Sequence, residues 1–245
     1  MILYLNYIGS KNRLSKELAP IIQQYVDKGC LGYLEPFVGG CGMIDKINCK
    51  VKIGCDIHKY LIALLKQAQT NCDNINIKIA REDYAKIRDN KDNYDDWYVG
   101  LCGFCYSYNS KWFGGYNNNV QTKQGIRNYG EESVRGLINQ SPKLKDIIFK
   151  CCDFRKIQNV KNFVIYCDPP YRNTTKYSTS EFPYEEFYDW CRKMSKNNIV
   201  FISEYNMPDD FECIWSKKTT TTLNNHRIDK DNNRTEKLFI YKNNK

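Results

Sequence analysis

Four consecutive residues, Asp168-Pro-Pro-Tyr171, have the types and spacing best suited to chemistry in this chain. They follow a strongly apolar segment, 163–167, which the sequence predicts to be a buried strand. Two consecutive prolines cannot donate the hydrogen bonds of a β-ladder, so this strand has to end there. The strand end brings a carboxylate, a rigid backbone carbonyl and an aromatic ring to the carboxyl edge of a sheet, where ligands bind in open α/β folds. An ordinary strand-ending turn is the alternative, and the rigid Pro-Pro pair beside a tyrosine favours a site.

These groups suit a transfer reaction at the exocyclic amino group of a base. Such an amino nitrogen is a poor nucleophile because its lone pair is delocalised into the ring. The carboxylate of Asp168 and the carbonyl oxygen of Pro169 can each accept one of its N–H bonds, which localises the lone pair for in-line attack on an electrophilic methyl group. Tyr171 can stack on the base, a contact worth about 1–3 kcal/mol. The catalytic candidates are therefore Asp168, Pro169 and Tyr171.

A glycine-rich segment, Glu35-Pro-Phe-Val-Gly-Gly-Cys-Gly42, is the second candidate for a binding site. Glycines after a strand let a ligand approach the backbone closely. The segment lacks the lysine of a P-loop and the glycine spacing of dinucleotide-binding proteins, which favours a nucleoside ligand without phosphates. Asp56 stands at the end of the next predicted strand, where an acidic residue can hold ribose hydroxyls.

The elements around these motifs predict an α/β protein. Short apolar segments indicate strands, and segments with apolar residues at helical spacing indicate helices. Strand, glycine turn, helix, strand ending in an acid and helix follow one another as in a doubly wound parallel sheet. The predicted strands begin at Gly32 and cover 51–55, 146–151, 163–167, 199–203 and 237–241, and the predicted helices cover 14–26, 59–68 and 184–196.

The middle of the chain, residues 70–142, has a different character. It is polar, aromatic and rich in Asn, Gly and Lys, without a strong parallel-strand pattern. We interpret it as an inserted, partly helical domain with a glycine-containing hairpin or loop, between the two parts of a catalytic domain formed by 1–69 and 143–245. A polar segment, 224–234, is interpreted as a loop before the last strand.

Composition narrows the class of protein. The chain has 245 residues, of which 42% are hydrophobic, and this excludes an intrinsically disordered chain. No apolar run approaches the roughly 20 residues of a membrane span, and the first residues lack a signal-peptide pattern, so we expect a cytoplasmic protein without a membrane partner. The net charge of +9 favours a polyanionic partner such as nucleic acid, although solubility alone also accounts for it.

The twelve cysteines are expected to be reduced, because they lie in apolar segments or side by side rather than in a loop framework. One C-x-x-C pair occurs, Cys102-Gly-Phe-Cys105. A structural zinc site normally needs a second pair or nearby histidines, so no metal is expected.

The chain resembles the Dam-type D12 class of DNA adenine-N6 methyltransferases, in particular their short phage-like members. The matching segments follow the order of that family over nearly the whole chain. They are Tyr7-Ile-Gly-Ser-Lys11, Glu35-Pro-Phe-Val-Gly-Gly-Cys-Gly42, Asp56, Phe149-Lys-Cys-Cys-Asp153, Asp168-Pro-Pro-Tyr171, Phe201-Ile-Ser-Glu204 and Arg234-Thr-Glu-Lys-Leu-Phe239. Two positions depart from the family pattern: Cys41 and Ser10 stand where glycine is common.

The resemblance implies a Rossmann-like sheet that binds S-adenosylmethionine, with a target-recognition domain inserted over 70–142. Asp168 would serve both the cofactor and the target base. The residues that the resemblance assigns to the cofactor are Tyr7, Lys11, Phe37, Gly39, Asp56, Asp153 and Asp168.

Lys111-Trp-Phe-Gly-Gly-Tyr116 resembles the corresponding segment of the phage-like members, and the candidates for DNA contact are Lys111, Tyr116, Asn117 and Arg127. Trp112 and Phe113 either insert between bases or form the small core of the insert.

The expected activity is site-specific methylation of adenine N6 in double-stranded DNA, with the adenine flipped out of the duplex because its amino group is inaccessible in the stack. Methylation of cytosine N4, an RNA substrate, a non-catalytic nucleic-acid-binding protein and a zinc-dependent module based on Cys102 and Cys105 are the alternatives. A companion restriction endonuclease stays open, and a monomer is the simplest expectation.

Overall fold

The computed structural model describes residues 5, 7, 9–172, 182–220 and 233–242. The predicted loop at 224–234 lies outside the described residues apart from its last two, which begin the final strand.

A seven-stranded sheet forms the centre of the molecule, in the order β5-β2-β1-β6-β7-β9-β8. β9 is antiparallel to both neighbours, and the other pairs within the sheet are parallel. In chain order the strands are β1 (Gly32–Glu35), β2 (Lys52–Asp56), β3 (Val120–Thr122), β4 (Gly125–Arg127), β5 (Ile147–Cys151), β6 (Phe163–Cys167), β7 (Ile199–Glu204), β8 (Phe211–Thr220) and β9 (Asn233–Tyr241). The predicted Rossmann-like α/β class is thereby confirmed.

The strand order reverses between β1 and β6. From β1 the chain continues outward to β2 and β5, whereas from β6 it continues to β7 on the other side. Tyr33 of β1 lies in register with Val164 of β6, so the two strands end side by side. Ligands of open α/β sheets bind at such a switch point, and both sequence motifs begin there.

Helices cover both faces of the sheet, because alternate residues of each buried strand point to opposite sides. Val164 and Tyr166 of β6 belong to one core, and Ile165 and Cys167 belong to the other. The helices are α1 (Ser15–Val26), α2 (Lys59–Thr70), α3 (Arg81–Asp89), α4 (Asp96–Gly100), α5 (Tyr129–Gln140) and α6 (Tyr184–Ser195). The first core includes α1, α2 and the insert, and the second includes α6.

The insert is partly helical and contains one described hairpin, formed by β3 and β4. It begins after α2 and ends before β5. Its apolar residues, such as Ile79 and Leu137, belong to the same core as Leu61 of α2 and Tyr33 of the sheet. Residues 70–142, the predicted insert, therefore pack against the sheet and share its core.

Among the described residues, no helix is long and apolar enough to span a membrane. The twelve cysteines all lie among these residues, and each is a free thiol.

Candidate active site

Asp168 lies directly after β6, where the two prolines stop the ladder. Its Oδ1 atom is 3.0 Å from Nζ of Lys11, and both side chains are largely buried. Burial raises the pKa of the Asp168 carboxyl above its ordinary range, and the Lys11 ammonium opposes this shift. A carboxylate paired in this way can still accept hydrogen bonds at the sheet edge.

Lys11 is presented by a short 3₁₀ turn, Lys11–Arg13. The turn is capped by Ser10, whose Oγ accepts a hydrogen bond from the backbone N–H of Asn12 at 3.4 Å. Ser10 thus caps the turn that carries Lys11. Burial lowers the pKa of Lys11, but the charges of Asp168 and Glu236 outweigh this effect, so the pKa is raised and the side chain stays protonated.

Tyr171 is held by three neighbours. Its hydroxyl donates a hydrogen bond to Oε2 of Glu236 at 3.0 Å. Nζ of Lys11 lies 4.4 Å from the centre of its ring, and the ring of Tyr205 meets it edge-on at 4.6 Å. Tyr171 is 9% exposed, so little of the ring is open to a base in this arrangement.

Two further carboxylates, Glu236 and Glu204, lie at this edge of the sheet. The sequence places both in matching segments but predicts no function for either. Glu236 lies on β9, 3.8 Å from Nζ of Lys11. Glu204 ends β7 and accepts hydrogen bonds from the backbone N–H groups of Arg172 at 3.2 Å and Tyr205 at 2.7 Å. Burial raises the pKa of Glu204 to about 7. The only indication of these two residues in the sequence was that each lies in a segment matching the family, 201–204 or 234–239.

Asp56 connects the end of β2 to the glycine loop. Its Oδ2 accepts a hydrogen bond from the Gly39 backbone N–H at 3.2 Å, and its Oδ1 accepts one from His58 N–H at 3.0 Å. Burial raises the pKa of Asp56, and these backbone donors oppose the shift. The carboxylate is therefore fixed in orientation, while each oxygen keeps capacity for a further donor.

The glycine loop needs its glycines for close approach and for backbone conformation. Gly39 has φ +47°, and a Cβ there would lie 3.0 Å from the ring of Tyr7. Cys41 also has a positive φ, 60°, a backbone conformation that favours glycine. The Cys41 side chain is buried in the core, so its packing offsets the backbone strain.

Phe37 and Asp153 border the same edge of the sheet. The Phe37 ring lies 5.7 Å from that of Phe154 and 5.6 Å from that of Phe187. Asp153 follows β5 and pairs with Arg155 at 2.6 Å between Oδ2 and Nη2. The side-chain hydrogen bond from Arg155 lowers the pKa of Asp153, so this carboxylate is ionised.

Gln140, the last residue of α5, joins the insert to the glycine loop. Its Nε2 donates to the carbonyl oxygens of Gly40 at 3.1 Å and Cys41 at 3.4 Å. Its Oε1 accepts a hydrogen bond from the backbone N–H of Leu5 at 3.3 Å. The residue is 0% exposed. Nothing in the sequence pattern distinguished this glutamine from a helix-surface residue.

Trp112 and Phe113 pack inside the insert and against α2. The Trp112 ring stacks on Tyr60 at 5.1 Å and lies 4.3 Å from the His58 ring. A Cβ on Gly103 would lie 2.3 Å from the Trp112 ring. Of the two interpretations of these aromatics, the packing agrees with a structural one.

The DNA-contact candidates lie in different surroundings. Lys111 is exposed, and Asn117 is half-buried. The Tyr116 hydroxyl donates to the carbonyl oxygen of Ile79 at 2.8 Å. Arg127 pairs with Glu132, with Nε 3.1 Å from Oε1. Lys111 is thus available to a phosphate, whereas Tyr116 already has an internal partner.

Cys102 and Cys105 are buried in a π-helical segment, Leu101–Cys105, that continues α4. Burial raises the pKa of each thiol to about 12. Within the part of the chain that the structure describes, no group of three or more His, Cys, Asp or Glu side chains is arranged to hold a metal ion.

Comparison with known proteins gives consistent results. A family model described as D12 class N6 adenine-specific DNA methyltransferase matches residues 7–234. The type II methyltransferase M.FokI of Planomicrobium okeanokoites is 24% identical over 87% of this chain and 38% of its own length. The DNA adenine methylase of Haemophilus influenzae is 28% identical over 73% of this chain and 69% of its own. The modification methylase StsI of Streptococcus sanguinis is 24% identical over 82% of this chain, which spans only 33% of that relative.

Proposed function

Since this chain belongs to the D12 class of N6 adenine-specific DNA methyltransferases, we propose that it transfers a methyl group from S-adenosylmethionine to the N6 amino group of adenine in double-stranded DNA. The observation that carries the proposal is the position of Asp168-Pro-Pro-Tyr171 at the switch point of the sheet, beside the glycine loop.

The residues at this edge fit a nucleoside cofactor. Asp56 is fixed by two backbone donors and keeps capacity for the ribose hydroxyls. The loop at Gly39 is shaped so that a Cβ there would contact Tyr7. Phe37 and Asp153 offer an apolar ring and an acceptor for the adenine of the cofactor. When bound, S-adenosylmethionine supplies an electrophilic methyl group on its sulfonium.

The chain's own residues position the target amino group. The Asp168 carboxylate and the Pro169 carbonyl accept its two N–H bonds, which draws the nitrogen toward a tetrahedral arrangement. Lys11 opposes the rise in the pKa of Asp168 that burial causes, and so favours the ionised form that accepts hydrogen bonds. We assign the contact with the base to Tyr171, which is 9% exposed. Orientation of this kind can remove about 7–11 kcal/mol of a reaction barrier.

The adenine reaches this edge by flipping out of the duplex. We propose that residues 70–142 contact the DNA, with Lys111, Tyr116, Asn117 and Arg127 as the candidate contacts. The basic charge of the chain, +9, supports a polyanionic substrate. We further propose a monomer that acts in the cytoplasm. A companion endonuclease is proposed as a partner, because one relative is named a type II methyltransferase and another a modification methylase.

The test is mass spectrometry of nucleosides from unmethylated duplex DNA after incubation with the protein and S-adenosylmethionine. We expect N6-methyladenine, and none with Asp168→Ala. N4-methylcytosine would keep the mechanism and overturn the base. Cofactor binding without any methylated base would overturn duplex DNA as the substrate, and absence of cofactor binding would favour the non-catalytic alternative.

A further inference from the structure

The carboxylate of Glu236 lies within the group that surrounds Asp168. Its Oε2 accepts the hydrogen bond of the Tyr171 hydroxyl at 3.0 Å. The same atom is 3.8 Å from Nζ of Lys11, which in turn is 3.0 Å from Oδ1 of Asp168. Lys11 is therefore shared between two carboxylates that come from β9 and from the end of β6.

The charges of these three side chains do not balance. One ammonium and two carboxylates leave one net negative charge. The side chains of Lys11, Asp168 and Glu236 are only 9%, 19% and 16% exposed, so water and salt screen this charge less than they screen charges on an open surface. Without Glu236, the remaining pair of Lys11 and Asp168 would be neutral.

We propose that Glu236 gives this site its preference for a cation: it makes the pocket bind the positively charged sulfonium of S-adenosylmethionine more tightly than the neutral thioether of S-adenosylhomocysteine. The inference rests on the proposed function, because it requires the cofactor's sulfur to lie near Asp168. Glu236 acts through its charge, across space and by way of Lys11, so it is a positioning residue rather than one that touches the transferred methyl group.

The charge of the site also affects the exchange of product for substrate, because methyl transfer converts the bound cofactor from a cation to a neutral molecule. The net negative charge beside it therefore attracts the substrate form and loses that attraction once the methyl group has left. Glu236 thereby favours exchange of product for fresh cofactor.

The experiment is isothermal titration calorimetry of the full chain with S-adenosylmethionine and, separately, with S-adenosylhomocysteine. The quantity compared is the ratio of the two Kd values. Glu236→Gln removes the charge and keeps the shape, and we expect it to shift this ratio against S-adenosylmethionine by about tenfold. The loss of one charge several ångströms from the sulfonium has an effect of this size at an intermediate dielectric constant. Glu236→Ala is a second neutral variant, for use if the glutamine does not fold.

Three further variants separate charge from structure. Glu236→Asp keeps the charge and should keep the preference. Tyr171→Phe removes the hydrogen bond to Glu236 but no charge, and should leave the ratio unchanged. Glu17→Gln removes a half-buried carboxylate on α1 that pairs with Lys217, away from the site, and is the charge control.

An unchanged ratio in Glu236→Gln, including one in which both ligands are weakened equally, would show a merely structural role and overturn the inference. Failure of the unaltered protein to bind either ligand would overturn the proposed function and the inference with it. Binding of both ligands with a ratio insensitive to Glu236 would leave the proposed function standing and remove only the inference.

Discussion

The side-chain amide of Gln140 donates a hydrogen bond to the backbone carbonyl of Gly40, 3.1 Å away. It thereby ties the last helix of the insert to the glycine loop at the switch point. The same amide accepts a hydrogen bond from Leu5 N–H, close to Tyr7 in the chain. One buried side chain thus holds together three segments: the start of the chain, the loop that we assign to the cofactor and the insert that we assign to DNA.

Replacing Gln140 with methionine should therefore weaken both stability and cofactor binding. Methionine has a similar length but leaves the Gly40 carbonyl and the Leu5 N–H without this partner. Buried polar groups left unsatisfied in this way cost about 1–3 kcal/mol each. We expect lower stability toward denaturant and a higher Kd for S-adenosylmethionine.

Asn139→Ala is the matched control, because Asn139 is an exposed residue of the same helix. Denaturant titration and calorimetry measure the two effects. Normal cofactor affinity in a folded Gln140→Met protein would show that the glycine loop does not depend on this connection.

The charge of Asp168 is required for the proposed chemistry, which Asp168→Asn tests without a change of shape. The amide would present an N–H donor where the carboxylate accepts, and Lys11 would lose its partner at 3.0 Å. We expect methyl transfer to fall by about 100-fold or more, in line with the loss of one well-placed electrostatic group in an active site.

Radiolabelled methyl incorporation into duplex DNA measures this loss, and circular dichroism confirms folding. Asp146→Asn, an exposed residue before β5, serves as the control. Methylation by Asp168→Asn at the rate of the unaltered protein would remove Asp168 from the mechanism.

Much of the fold could be predicted from the sequence because buried parallel strands are continuously apolar. The strand predicted over 163–167 was found with those bounds. Strand β8 (Phe211–Thr220) was not predicted, because its second half is rich in lysine and threonine and it lies at the edge of the sheet. For the same reason β9 begins at Asn233 rather than at the predicted residue 237, since its first residues pair with that polar half.

Sequence motifs could indicate the candidate site only in part. Asp168 and Lys11, 157 positions apart in numbering, were both singled out, and the structure brings them into contact. The roles of Glu236 and Gln140 depend on which side chains meet across strands and helices. Such contacts leave no periodicity or spacing in the chain, so they became visible only in three dimensions.

The stability of the protein should depend on Glu204 between mildly acidic and mildly basic pH. Burial raises the pKa of Glu204 to about 7. In the unfolded chain a glutamate has a pKa of about 4.3. The folded state therefore binds the carboxyl proton of Glu204 more tightly than the unfolded chain does. The stabilisation that this protonated carboxyl contributes is complete below the pKa of the unfolded chain and is lost as the pH rises through about 7.

Glu204→Gln removes this dependence. We expect the difference in Tm, variant minus unaltered protein, to become more positive as the pH is raised from about 5 to about 8. Differential scanning calorimetry across that interval measures it. Glu185→Gln, a change at an exposed carboxylate on α6, should leave the pH dependence as it is. Parallel pH profiles for Glu204→Gln and the unaltered protein would contradict the prediction.

Lys111 and Tyr116 stand close together in the same segment of the insert, yet we expect their substitution to have different effects. Lys111 is exposed, so Lys111→Ala should weaken DNA binding and reduce the slope of log affinity against log salt by about 0.9, the value for one lost phosphate contact. The Tyr116 hydroxyl donates to Ile79 at 2.8 Å, so Tyr116→Phe should lower stability by about 1 kcal/mol and leave the salt slope unchanged.

Fluorescence anisotropy with labelled duplex DNA at several salt concentrations measures the slope, with Lys196→Ala, on the α6 side of the sheet, as the control. An unchanged slope in Lys111→Ala would remove this lysine from the DNA interface, and a reduced slope in Tyr116→Phe would mean that the tyrosine leaves Ile79 to contact DNA.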